Sequence, residues 1–198
     1  METKKARDFS VTIDALIFDC DGTLCDSMPA HYAAWTKVLE PVGMTLERER
    51  YLSFAGTPSQ RVIPMLAAEQ GITLPDFPSL NRAKEDSFLD VAHLLQPIEA
   101  VVSIARENRG RLKMAVASGG VRRLVMRQLE QLEIVDWFET IVTAEDTERH
   151  KPDPDVFLEA ARRLGVAQER CRVYEDGEPG IEAARRAGME CVDIRPWL

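Results

Sequence analysis

From residue 98 onward, short apolar runs alternate with segments of helical spacing, and this alternation constrains the fold more than any other feature of the sequence. The spacing predicts strands at 113–117, 140–143, 172–174 and 191–194, and helices at 98–109, 121–132, 153–165 and 179–187. Asp153 as cap, Pro154 at the first helical position and Gly165 at the end frame one of these helices, and Gly188 closes another. Strand alternating with helix specifies the α/β class, a doubly wound parallel sheet with a Rossmann-like core. An earlier run, Ala15-Leu16-Ile17-Phe18, is too short for a helix and reads as one more buried strand of that sheet.

The stretch between that strand and residue 97 has a different character. Pro29 opens a helix with Trp35, Val38, Leu39 and Val42 at helical spacing, and Gly43 stops it. A shorter helix covers about 47–54. Thr57 as cap and Pro58 at the first position start a third, whose apolar face is Val62, Ile63, Leu66 and Ala67, with Pro64 in its first turn or at a bend. After a loop at 74–78, Ser79 caps a fourth helix running to about His93. No strand is expected here, so residues 29–96 form an inserted all-helical domain, with 1–28 and 97–198 as the core.

Ligands of an open parallel sheet bind at the carboxyl ends of its strands, and the unusual polar residues collect there. Asp19 and Asp21 follow the first strand at i and i+2, pointing the same way on extended backbone. Two like charges at the mouth of an apolar strand are poor for stability and make sense beside a cation or a phosphate. Ser118 and Gly119 end the 113–117 strand, Glu175 and Asp176 end the 172–174 strand, and Lys151 lies in the loop after 140–143.

The formal charge of −8 and the lack of a basic run exclude nucleic acid as a steady partner. No run is long enough to span a membrane, the amino terminus lacks an apolar signal core, and Cys20, Cys25, Cys171 and Cys191 form no CxxC pair. A cytoplasmic monomer with free thiols is the expectation.

The run Asp19-Cys20-Asp21-Gly22-Thr23-Leu24 after an apolar strand resembles the first motif of the haloacid dehalogenase superfamily. Ala117-Ser118-Gly119 resembles the second motif, Lys151-Pro152-Asp153-Pro154 the third, and Tyr174-Glu175-Asp176-Gly177 with Gly180-Ile181 the fourth, although a Ser commonly stands where this chain has Gly177. The resemblance implies that Asp19 is the nucleophile, Asp21 the general acid and base, and Lys151 the cation beside Asp19 and the phosphate, with Ser118 and Gly119 holding phosphoryl oxygens. It implies a magnesium ion on the Asp19 carboxylate, the Asp21 main-chain carbonyl and Asp176, with Glu175 left between the metal and Lys151.

The helical insertion is similar to the cap of the beta-phosphoglucomutase-like branch, which closes over the site and reads the leaving group. His31-Tyr32-Ala33-Ala34-Trp35 matches that branch, making His31, Trp35, Gly56, Arg61 and Lys84 candidate cap contacts. A mutase of the branch carries an arginine three residues after the cap glycine, where this chain has Ser59; Arg61 is two further on, and Gly120 and Val121 replace polar residues after the second motif. The segments 56–61 and 188–195 look closer to bacterial fructose-1-phosphate phosphatases. The expected function is therefore magnesium-dependent hydrolysis of small sugar phosphates, such as fructose 1-phosphate, through an aspartyl-phosphate, with a sugar phosphomutase and a non-catalytic phosphometabolite-binding protein as alternatives.

Overall fold

A computed structural model describes residues 12–53 and 59–198. Five parallel strands form the sheet: β1 (Ala15–Phe18), β4 (Lys113–Ala117), β5 (Thr140–Val142), β6 (Cys171–Glu175) and β7 (Glu190–Asp193), in the order β5-β4-β1-β6-β7. β1 lies at the centre, with Phe18 level with Val116 on one side and Tyr174 on the other. All four of its residues are buried, which is why the run is apolar without alternation.

Alternate residues of β1 serve opposite faces of the sheet. Ala15 and Ile17 pack with α7 (Asp155–Leu164) and α8 (Glu178–Arg186), while Leu16 and Phe18 pack with α5 (Glu99–Asn108) and α6 (Arg122–Gln131). Phe18 stacks on Tyr174 at 5.0 Å between ring centroids and meets Phe138 edge-on at 6.0 Å. Helices on both faces of a parallel sheet are the doubly wound arrangement that the alternation predicts.

Before the second sheet strand the chain runs through α1 (Met28–Leu39), α2 (Arg48–Leu52), α3 (Ser59–Glu69) and α4 (Phe77–Asp90). These helices share an apolar cluster containing Trp35, Leu39, Tyr51, Val62, Ile63, Leu66 and Leu80, and a second cluster joins Ala30, Ala34 and Phe88 to Leu124 of α6. The structure departs from the sequence reading at three places here and in the core. A two-residue ladder, β2 (Cys25–Asp26) with β3 (Gln96–Pro97), flanks the helical stretch where no strand was expected; two residues carry no periodicity to read. The cap of α4 is Asp76, which accepts from the Ser79 amide at 3.0 Å and its hydroxyl at 2.8 Å, so Ser79 is the capped residue and the helix ends at Asp90. Asp153 does not cap α7 but pairs with Arg186 at 3.4 Å, and Pro154 holds the cap position. Thr57 and Pro58 lie outside the described residues, and Pro64 falls inside α3. Among the described residues no helix is long and apolar enough to cross a membrane, and all four cysteines are free.

Candidate active site

The carboxyl ends of β1, β4 and β6 and the underside of the four helices enclose a cavity of about 520 Å³. Asp19, Asp21, Ser118, Gly119, Lys151, Glu175 and Asp176 line it from below, and His31 and Lys84 line it from the helices.

Asp19 extends β1 by one residue, its amide bonded to the Tyr174 carbonyl at 3.1 Å, and its side chain is buried. Lys151 bridges the motifs: its Nζ lies 2.6 Å from Asp19 Oδ1 and 2.7 Å from Glu175 Oε1. Glu175 uses its other oxygen to accept the Gly177 amide at 2.6 Å. Burial pulls the Lys151 ammonium down, but the facing Asp19 and Glu175 carboxylates outweigh it and hold the lysine protonated. Burial pushes the Asp19 carboxyl well up, with Glu175 and Asp176 adding to the effect against Lys151. Asp176 accepts from the Thr23 hydroxyl at 2.7 Å and is pushed up to about 6, chiefly by burial.

Gly22 makes the approach of the two segments possible. Its φ of 84° is a left-handed value, and a Cβ there would collide with the Asp176 carboxylate. Gly180 does the same beneath Glu175, where a Cβ would overlap Oε1.

Asp21 turns away from this cluster. Its Oδ1 accepts from Ser27 at 2.6 Å and faces His31 Nε2 at 2.9 Å, while Lys84 Nζ lies 2.7 Å from His31 Nδ1. Burial pushes the Asp21 carboxyl up, yet hydrogen bonding led by His31 and Ser27 outweighs it and holds the group well below the usual range. Ser118 is buried, its oxygen accepting the Gly120 amide at 3.0 Å, so the β4 exit is pinned while its hydroxyl and the Gly119 backbone border the cavity.

Asp19, Glu175 and Asp176 offer carboxylate oxygens within 4.8 Å of one another, with Lys151 the ammonium set against them. Hard oxygen donors carrying surplus negative charge, one of them pushed up to about 6 chiefly by burial with the Glu175 carboxylate adding to it, fit a hard divalent cation such as magnesium.

Two of the expected cap contacts are not brought to the cavity, and a third lies outside the description. Trp35 is fully buried in the helical cluster and donates from Nε1 to Ser59 Oγ at 3.2 Å. Its place on the apolar stripe of α1 decides this. Arg61 is exposed on α3 and is absent from the cavity wall, and Gly56 lies outside the described residues. Sequence reasoning missed Tyr51, Gln60 and His150 as wall residues, and passed over Ser27 as a partner of Asp21. Ser27, two positions before Pro29 at the entry to the first helix, was the one with a legible signal.

Comparison with known proteins agrees with this geometry. Fructose-1-phosphate phosphatase of Escherichia coli (strain K12) is 35% identical over 182 residues, which cover 91% of this chain and 95% of that protein. Beta-phosphoglucomutase of Bacillus subtilis (strain 168) is 30% identical over 189 residues, 91% of this chain and 82% of that protein. The structure of CbbY from Rhodobacter sphaeroides in complex with phosphate superposes with a TM-score of 0.79 at 25% identity, over 91% of this chain and 85% of that one. The model of the haloacid dehalogenase-like hydrolases matches residues 16–194, nearly the whole described chain, and the protein belongs to that family.

Proposed function

We propose that the protein is a magnesium-dependent phosphatase of small sugar phosphates that works through an aspartyl-phosphate. The observation that carries this reading is the double contact of Lys151, which brings a cation against the Asp19 carboxylate at 2.6 Å in a buried site. Asp19 is the nucleophile: one of its oxygens bonds to phosphorus as the bond from phosphorus to the sugar oxygen breaks. Asp21 gives its proton to the leaving sugar oxygen, then takes one from the water that attacks phosphorus and returns Asp19 with inorganic phosphate. In the arrangement described, Asp21 is ionised, the form that suits the second half; a phosphate dianion beside it raises its pKa for the first.

Asp19, Asp176 and the Asp21 main-chain carbonyl hold the magnesium ion in this reading, and Glu175 keeps Lys151 in place. The ion supplies positive charge against the phosphoryl oxygens. Ser118 and the Gly119 amide hold those oxygens from the β4 side, and Lys151 adds the second positive charge. Residues 29–96 act as a cap on a core of 1–28 and 97–198, with the β2–β3 ladder at the two crossings. The cap then excludes water from the phosphoryl group and presents His31 and Lys84 to the leaving group.

The mutase reading draws on the Bacillus subtilis relative. Ser59 at the position of the mutase arginine, and Arg61 on the solvent side of α3, weigh against it. A purely binding protein would not need Asp19, Asp21, Lys151 and Asp176 together. Incubation with magnesium and a panel of hexose and pentose monophosphates tests the choice. Phosphate released with turnover supports hydrolysis; isomerised sugar phosphate without release supports the mutase, and neither supports binding alone.

A further inference from the structure

We propose that Tyr51 reads the leaving group, donating its phenolic hydrogen to an oxygen of a neutral, hydroxyl-bearing sugar that carries a single phosphate; this deepens the phosphatase reading and rests on it. Tyr51 is the first of three neutral polar residues, with Ser59 and Gln60, that line the cavity from α2 and α3. It is 7% exposed, packs in the helical core and also lines the cavity.

The Trp35 indole has a hydrogen to give and no lone pair to receive one, and it donates to Ser59 Oγ at 3.2 Å. Ser59 lines the same cavity, next along the wall from Tyr51. Among the described residues no acceptor takes the hydrogen of the Tyr51 phenol. The neighbouring Tyr32, 5.9 Å away between ring centroids, shows the contrast: its hydroxyl is committed to the Leu46 carbonyl at 2.9 Å. A phenol with an unclaimed hydrogen in the wall of a cavity is placed for a ligand oxygen. Burial pushes the Tyr51 phenol up to about 12, so it stays a neutral donor at physiological pH.

Charge limits what can lie there. No arginine lines the cavity among the described residues, and residues 54–58 are Phe, Ala, Gly, Thr and Pro, none of them cationic. Lys151 is paired with Asp19 and Glu175, and Lys84 is bonded to His31. Tyr51, Ser59 and Gln60 themselves offer hydroxyls and an amide and carry no charge, which matches sugar hydroxyls.

The test compares kcat and KM of the wild type, Tyr51→Phe and Ser59→Ala on the best sugar monophosphate of the panel, on the corresponding bisphosphate and on p-nitrophenyl phosphate, whose leaving group has no hydroxyl chain to read. Phe keeps the buried ring, and thermal melts report whether each variant folds. In Tyr51→Phe the ratio of kcat/KM for the sugar monophosphate to that for p-nitrophenyl phosphate falls about tenfold, chiefly through KM, as expected for one lost hydrogen bond. Ser59→Ala shifts the ratio in the same direction by less. An unchanged ratio in Tyr51→Phe overturns the assignment, as does a wild type that prefers the bisphosphate, or prefers p-nitrophenyl phosphate to every sugar. A wild type that releases phosphate from nothing overturns the phosphatase reading itself and the assignment with it.

Discussion

Lys84 reaches down from α4 to His31, with 2.7 Å between Nζ and Nδ1. A lysine donating to Nδ1 makes that nitrogen the acceptor, so the ring carries its hydrogen on Nε2, facing Asp21. The helical stretch thus controls a carboxylate of the sheet through one imidazole. Burial pulls Lys84 down to about 8, against Asp21 and Glu85, which favour its charge.

This arrangement sets function against stability, and Lys84→Met separates them. Below pH 8 the folded protein holds a buried ammonium at a cost on the order of 3 kcal/mol relative to the unfolded chain. Between about pH 8 and 10 the folded lysine is neutral while the unfolded one is still charged, so the cost fades as pH rises. Lys84→Met is therefore expected to resist urea better than the wild type at pH 7, with the advantage shrinking by about pH 9.5. Its hydrolysis of sugar phosphates is expected to fall about 100-fold as His31 loses its orientation. Equal urea midpoints at pH 7 would contradict the cost assigned to the ammonium.

Asp19 and Asp21 are separable by leaving group. Asp19→Asn removes the proposed nucleophile and is expected to cut phosphate release at least about 1000-fold on every substrate, with the fold retained because Asn fills the same buried space. Asp21→Asn behaves differently. With p-nitrophenyl phosphate, whose leaving group needs no acid, it should give one burst of nitrophenol per protein and then stall for lack of a base. Intact-protein mass spectrometry would find the phosphoryl group retained, and mapping would place it on Asp19. Steady turnover without a burst would argue against the covalent route.

The sheet and its acidic rim were legible because each rests on a short, local pattern. An apolar run followed by Asp or Glu marks a strand end, and parallel topology carries those ends to one edge, so residues 132 positions apart such as Asp19 and Lys151 meet. The helical side was less legible. Trp35 and Tyr51 sit on apolar faces of neighbouring helices, and periodicity assigns both to the core; only the packing shows that one is sealed in and the other borders the cavity. Arg61 looked suited to an anion, but its position on α3 points it to solvent. Asp76 and Ser79 are both good cap residues, and the backbone conformation at Asp76 decides between them.

Gly180 is expected to be as sensitive as a charged residue of the site. A Cβ in the first turn of α8 would overlap Glu175 Oε1, the oxygen that holds Lys151 at 2.7 Å. Glu175 is 3% exposed and cannot withdraw without giving up Lys151 or the Gly177 amide. Gly180→Ala should lower stability by about 2 kcal/mol and reduce kcat at least about tenfold, because Lys151 and the Asp19 it steadies are both displaced. Denaturant unfolding together with phosphate release checks both parts, and a variant with wild-type values would show that Glu175 has room the packing does not reveal.

If Asp176 holds the magnesium ion, as proposed, it links the metal to stability. The raised pKa, about 6, means that the metal-free protein holds an unfavourable buried charge above that pH; the folded carboxyl takes up a proton first as the pH falls, so the cost disappears by about pH 4. Asp176→Asn keeps an oxygen for the Thr23 hydroxyl and removes the charge. It should therefore melt above the wild type at pH 7.5 in the presence of a chelator, by an amount corresponding to about 2 kcal/mol. Magnesium reverses the order. At a hundredfold excess over its dissociation constant it should stabilise the wild type by about 2.7 kcal/mol, while the variant gains little and releases no phosphate. Thermal melts of both proteins with chelator and with magnesium read the two effects separately, and a magnesium shift that survives in Asp176→Asn would remove Asp176 from the metal site.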